Sequence, residues 1–438
     1  MSSTAITTAS AIENLVNPAI LYNNLMLLVE QSEDVQTSEL CSGDNIALDA
    51  FYFDDQKDEL TGKTYRIFNY RLASYTSFQK QDAKNCRGTM FDITDINKPI
   101  LVSLPPEKFF NYEEGIGEKE HIKHRFVDKM EKLDGSLIST YHIYFDGKDK
   151  KELLFNIGFK SKGSIKSAQA NEATKIIQSN SKLHKEIVDF CFTCDATLNF
   201  EFISPENRIV VLYNKPQVVL LSARFHEDGQ MLFGHKLREY LIANDYHLLA
   251  EQIVDTVNVS ELNLTGKSQI EYVADIREEK VVEHGEGYVI ELQREDGSNY
   301  LVKVKNKEYL ELHNLRDNID LMNGNFGSSL TDKNIAKAVL MEISDDLKSL
   351  FSTSEFAINK IVEVENKVIP KYNKMVHDVE AFYNENKHLE RKEYAVKIHS
   401  NPEMKPYMQL LMNHYLNRHK DADYKEFALN KNNIEMFI

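Results

Sequence analysis

Apolar and polar positions along the chain follow two periods, and the change from one to the other marks its organisation. From Tyr65 to Lys305 short apolar runs separated by Gly-containing turns dominate, the pattern of half-buried strands. Leu198, Phe200 and Phe202 read as core-facing, so Glu201 projects the other way. Leu301-Val302-Lys303-Val304-Lys305 repeats this logic with opposite charge: the valines turn inward, and Lys303 and Lys305 share the far face. Glu286-Gly287-Tyr288-Val289-Ile290 opens another apolar strand with a carboxylate at its mouth. After Tyr309 the period lengthens. Residues 335–351, 356–383, 394–399 and 404–419 carry apolar side chains at helical spacing, with breaks expected near Pro370 and Pro402. Asp54 to Glu59 reads as a solvated loop, and the Ser/Thr/Ala-rich start as a weakly ordered tail. No internal repeat is visible. The pattern predicts an α+β chain: a tail at 1–20, a sheet-based body at 21–315 and an all-helical domain at 316–438.

Composition narrows the class. At 438 residues the chain exceeds what one core usually supports, and 42% apolar residues is ordinary for a folded protein. The start lacks the basic and apolar segments of a signal peptide, and no apolar run is long enough to span a bilayer, so a cytoplasmic protein with no membrane partner is expected. Four cysteines do not make a disulfide framework. Cys191-Phe192-Thr193-Cys194 lacks a second ligand pair and reads as two reduced thiols. A net charge of −16 argues against indiscriminate coating of nucleic acid. Lys160, Lys162, Lys166, Lys303, Lys305 and Lys307 nevertheless concentrate positive charge locally, which predicts modest, salt-sensitive binding of a strand. Solvated strand ends would be the plainer reading of those lysines.

The candidate chemistry begins at Lys132-Leu133-Asp134-Gly135-Ser136. A lysine beside an Asp-Gly turn can be held rigidly while its amine enters a pocket, as a covalent nucleophile requires. With a free pKa near 10.4, only about one lysine in a few thousand is deprotonated at pH 7, so the amine must be activated. Lys303 and Lys305 are placed to disfavour its protonated form and to neutralise phosphates. A lysine nucleophile, Glu201, Glu286 and two further lysines suit a magnesium nucleotide.

In order and spacing, these motifs resemble those of the covalent nucleotidyltransferases, the superfamily of ATP-dependent ligases and RNA capping enzymes. More narrowly, Thr64-Tyr65-Arg66-Ile67-Phe68, Cys86-Arg87-Gly88, Glu107-Lys108-Phe109-Phe110-Asn111 and the stretch from Lys160 to Ser167 resemble the bacteriophage-type RNA ligase 1 family. The resemblance runs from about Tyr65 to about Leu350, with a less specific match through the helical tail. It implies a nucleotidyltransferase domain built on twisted, mainly antiparallel sheets, followed by helices, with ATP and Mg2+ as cofactors. It also implies that Lys132 attacks the α-phosphate of ATP, that the lysyl-AMP formed passes AMP to an RNA 5′-phosphate, and that a 3′-hydroxyl then seals the strand. Glu201 would hold the ribose, and Glu286 would organise magnesium through water. Tyr70, Arg87 and Lys108 would bind the triphosphate, and Lys162 the nucleotide or RNA. Asp345 and Asp346 match an acidic pair that completes the metal's water shell, although acidic residues early in a helix also act as caps. Tyr309 matches a family tyrosine and equally fits a core position. The implied partner is RNA with 3′-OH and 5′-phosphate ends, tRNA cleaved in the anticodon loop above all. No obligate protein partner is evident.

Two other classes compete. DNA ligases and capping enzymes share the Lys132, Glu201, Glu286 and Lys303/Lys305 set, but usually continue into a five-stranded barrel where this chain turns helical. A phage assembly protein for tail-fibre attachment would keep the fold without needing an intact Lys132 motif.

Overall fold

A computed structural model describes residues 16–37, 51–73, 75–115, 117–144, 155–206, 211, 213–258, 269–278, 285–307, 309, 330–351 and 354–438. The described residues divide between two compact units, one drawn from positions up to 27, 52–70 and 78–317, the other from 28–51, 71–77 and 318–438. Most of the expected tail lies outside the described residues. α1 (Pro18–Thr37) starts inside it, where proline suits a first helical turn and the Asn17 side chain accepts the Ala19 N–H at 3.0 Å.

The first unit is built on three sheets. β1 (Phe51–Lys57), β2 (Thr64–Tyr70), β3 (Thr89–Asp92) and β4 (Ile100–Ser103) form one in that order. The second comprises β7 (Ser136–Tyr144), β8 (Phe155–Ser161), β9 (Ala196–Ile203), β10 (Gln217–Phe225) and β11 (Met231–Phe233), ordered β11-β10-β9-β7-β8. The third comprises β5 (Phe110–Asn111), β6 (Arg125–Lys132), β12 (Thr256–Asn258), β13 (Gly287–Gln293) and β14 (Asn299–Lys305), ordered β12-β6-β13-β14-β5. β14 pairs with β5 in parallel, whereas the β6–β13, β13–β14, β7–β8, β7–β9 and β9–β10 pairs are antiparallel. α2 (Glu118–His121), α3 (Ala168–Ser179), α4 (Ser181–Cys194), α5 (Gly234–Ala243), α6 (His247–Glu251) and α7 (Gln269–Glu278) complete this unit.

The expected loop at Asp54 to Glu59 is instead largely strand, because β1 runs to Lys57. Its charges are paired at long range: Arg66 on β2 donates Nε and Nη2 to the two Asp55 carboxylate oxygens, each at 2.7 Å. A charged edge strand is a common way to discourage pairing with other chains. Alternation on β14 is as expected, with Val302 and Val304 buried against Ile290, Leu292, Val273 and Ile276. On β9 the core-facing Leu198, Phe200 and Phe202 are buried, but Thr197 and Asn199 on the opposite face are buried too. Polar partners cover them: Thr197 Oγ1 accepts the Leu104 N–H at 2.8 Å, and Ser139 donates to Asn199 at 2.7 Å.

In the second unit, α8 (Asp332–Leu340), α9 (Ser344–Leu350), α10 (Glu355–Asn386), α11 (Arg391–Ser400), α12 (Met408–Tyr415) and α13 (Asp421–Leu429) surround one apolar cluster. Pro370 does not break the pattern as expected, since α10 runs through it for 32 residues. A proline inside a helix costs about 3 kcal/mol. Val364, Val368, Ile369, Tyr372, Met375 and Val376 are buried on both sides of it, and at about 1.5–3 kcal/mol for each large side chain that burial outweighs the cost. Leu72 joins this cluster, Asn373 reaches the Leu72 carbonyl at 3.4 Å, and Arg71 pairs with Glu380 at 3.1 Å. Among the described residues, no helix is long and apolar enough to cross a membrane.

Candidate active site

Lys132 is the last residue of β6, and Ser136 is the first of β7 in a different sheet. Leu133 to Gly135 therefore carry the chain between sheets, where a hairpin turn would have kept both strands in one. Asp134 fixes this crossing. Its backbone N–H donates to the Tyr213 hydroxyl at 2.9 Å, its Oδ2 accepts the Val211 N–H at 2.8 Å, and its Oδ1 accepts the Tyr309 hydroxyl at 3.1 Å. A buried carboxylate with its oxygens bonded is a rigid anchor. Gly135 is required by close approach, because a Cβ there would lie 2.4 Å from the Phe202 carbonyl.

Beside it, Gly287 is opposite Lys132 on β6 and opposite Lys305 on β14. Residues directly across neighbouring strands share a face, so the two lysines flank one position. Position 287 has φ +139°, and a Cβ would meet the Val304 carbonyl at 2.3 Å, so only glycine fits. Glu286 spans the pair: one carboxylate oxygen binds the Lys132 ammonium, and the other lies 3.0 Å from Lys305 Nζ. Its backbone is held between the Lys132 carbonyl (2.7 Å) and the Asn306 N–H (3.0 Å). Lys305 also lies 5.5 Å from the ring centre of Tyr309.

Glu201 enters from the second sheet, across from Leu137 on β7. Burial pushes its carboxyl up to about 7, opposed by Lys132 and Arg87 and by the Gly135 N–H. A perturbed acid among cations marks a functional pocket more often than a structural one. Lys160, expected only as part of a basic patch, is fully buried; burial and then Arg87 push its amine down to about 7, and it donates to the Gly88 carbonyl at 2.6 Å.

The remaining expected residues fall into groups. Tyr70 has Lys162 Nζ 4.6 Å and Lys108 Nζ 5.6 Å from its ring centre, a cationic face with an aromatic floor. Arg87 Nη1 reaches the Pro106 carbonyl at 3.4 Å. Lys303 lies two positions before Lys305 on β14, opposite Val289. Asp345 and Asp346 belong to the second unit, in the first turn of α9 after Ser344, where the Asp346 N–H donates to Asp345 Oδ1 at 3.1 Å and negative charge suits the helix dipole. Cys191 and Cys194 are free thiols on α4, and burial pushes Cys191 up to about 12.

Lys132, Glu201, Glu286 and Lys305 thus converge with Arg87. Sequence reasoning missed the Asp134 clamp, because Tyr213, Val211 and Tyr309 are distant along the chain. A hard divalent cation fits this setting: Glu286 offers carboxylate oxygens between lysines, suited to an ion held largely through water and phosphate oxygens.

A family model described as RNA ligase matches residues 85–310, and one described as T4 RNA ligase 1, C-terminal domain, matches residues 328–434. Among solved structures, Naegleria gruberi RNA ligase with PPi is similar at 17% identity over 50% of this chain and 61% of that one, with a TM-score of 0.35. A mutant of the same protein with ATP and Mn is similar at 17% identity, over 48% and 60%, with a TM-score of 0.34. An archaeal ATP-dependent RNA ligase is similar at 12% identity, over 79% and 82%, with a TM-score of 0.39. The chain spans about three fifths of the length of the Naegleria chains it matches.

Proposed function

The chain belongs to the RNA ligase family, and on that premise we propose that it is an ATP-dependent RNA ligase whose nucleophile is Lys132. The observation that carries this reading is the Lys132–Glu286–Lys305 arrangement at the end of an anchored strand. Glu286 pairs with the Lys132 amine. Release of that pairing, with Lys305 beside the amine, lowers the cost of losing the proton. Lys132 Nζ then forms a P–N bond to the α-phosphorus of ATP, and the bond to pyrophosphate breaks. An RNA 5′-phosphate oxygen displaces the lysine to give adenylylated RNA. A 3′-hydroxyl attacks that end, forming the phosphodiester and releasing AMP.

Glu201 binds the ribose through its half-buried carboxyl. Tyr70, Arg87, Lys108 and Lys162 hold the triphosphate and orient its departure, and Lys303 and Lys305 neutralise the transferring phosphate. Magnesium would be held through water by Glu286 and would supply further neutralisation of phosphate charge. The second unit, drawn largely from 318–438, confers RNA preference. The finer reading is repair of tRNA cleaved in the anticodon loop during phage infection, supported by the match to the T4 RNA ligase 1 C-terminal domain. Among the described residues after Lys305 every named element is helical, which favours this class over barrel-bearing DNA ligases and capping enzymes.

Sealing of nicked tRNA, linear single-stranded RNA and nicked duplex DNA by the purified protein with ATP and Mg2+ tests the proposal. RNA should be joined and DNA nicks left open. Preference for nicked duplex DNA would overturn it.

A further inference from the structure

We infer that His142, Asp195 and His226 form a binding site for a divalent transition-metal ion, zinc by its donor set, at the end of the second sheet remote from Lys132. His142 lies near the end of β7, Asp195 between α4 and β9, and His226 just after β10. Ser136, next to Lys132's turn, is six residues before His142 on the same strand, about 20 Å at about 3.3 Å per residue. The site therefore stands apart from the adenylylation chemistry.

One ligand atom from each residue lies within 4.8 Å of the other two. His142 Nδ1 is 3.5 Å and His226 Nδ1 3.1 Å from Asp195 Oδ1. Tetrahedral zinc with bonds of about 2.0–2.1 Å separates its ligand atoms by about 3.3 Å, between those two edges. The far nitrogens are already held. His142 Nε2 lies 3.2 Å from the Ala196 carbonyl, which only accepts, so the proton is on Nε2 and Nδ1 keeps its lone pair. His226 Nε2 lies 2.7 Å from Thr197 Oγ1. These contacts match the outer partners that orient metal-bound imidazoles.

The near side points to a ligand independently. His226 is buried, yet its Nδ1 makes no well-aligned hydrogen bond despite the nearby carboxylate. Two neighbouring rings and an acceptor face one point, which a cation would satisfy. Asp195 is held for this role in the left-handed C-cap of α4 (φ 44°), its carbonyl accepting the His226 N–H at 2.8 Å. Its side chain is 61% exposed, leaving a side open for ion entry and a water ligand. The Tyr144 hydroxyl, 3.0 Å from His142 Nδ1, donates to the same lone pair and gives it up to the ion.

Chelator-stripped full-length protein titrated with Zn2+ by calorimetry, and with Co2+ by visible absorption, tests the inference. One tight site per chain with tetrahedral Co2+ bands is expected. The chain has 14 histidines, so variants decide whether the site is this one. His142→Gln and His226→Gln should abolish tight binding, and Asp195→Asn, which suits a left-handed position, should weaken it at least about tenfold. Tyr144→Phe should bind at least as tightly as wild type. If the histidine variants fail to fold, Asp195→Asn decides alone. No zinc uptake by wild type, or unchanged uptake by Asp195→Asn, overturns the inference.

Discussion

At the residue scale, the decisive contacts join groups that are far apart in sequence. Glu286 holds two lysines from two strands, and removal of either cation from a phosphoryl-transfer pocket typically costs a few kcal/mol. Lys303→Ala and Lys305→Ala should each lower the rate of protein adenylylation by at least roughly a hundredfold with unchanged circular dichroism. Near wild-type adenylylation in a folded variant would reduce the dibasic face to a solvated edge. Glu201 gives a pH test. Its folded carboxyl titrates at about 7 against an ordinary 4.5, so the folded state holds the proton more tightly. Its contribution to stability is fully present below 4.5 and is lost as pH rises through about 7. Glu201→Gln should flatten that part of the stability curve in urea titrations at pH 4.5 and 8; an unchanged slope would contradict the buried acid. The pocket's charged members were legible because each sits in a short local pattern. Asp134 was legible only as a turn residue, since nothing near it in sequence announces Tyr309, which is buried and donates its hydroxyl to that carboxylate.

At the element scale, alternation located β9 and β14 because their core faces are apolar at every second position. It failed at β1, where Asp54, Asp55 and Lys57 look like solvent-facing loop and the strand is held by the Arg66 pairing and by Gln56, which bonds Gly163 and Ile165. It failed again at Pro370, where local propensity argued for a break and burial around the proline prevailed. That gives a stability prediction. Pro370→Ala restores an intrahelical hydrogen bond worth part of the proline's roughly 3 kcal/mol cost, offset by about 0.4–1 kcal/mol of unfolded-state entropy. A net gain of about 1–2 kcal/mol in chemical denaturation is expected. A loss would mean that α10 is bent to suit the proline.

At the scale of the whole molecule, the second unit draws on 28–51 and 71–77 as well as the C-terminal helices, an arrangement that periodicity does not reveal. A chain ending at Gly324 therefore leaves Leu72 without its apolar cluster, and should need Leu72→Ser to stay soluble. In that form it should still form lysyl-AMP while sealing of nicked tRNA falls more than joining of single strands. Equal losses would count against a specificity role for the helices, and complete loss of adenylylation in a folded truncation would place Asp345 or Asp346 in the essential metal site. All of these rest on one claim, that a single lysine at the crossing between two sheets carries the adenylyl group. Intact-protein mass spectrometry after incubation with ATP and Mg2+ tests it most directly. Wild type should gain one AMP, whereas Lys132→Ala and Lys132→Arg, the latter because guanidinium stays protonated, should gain none; covalent AMP on either variant would contradict the account.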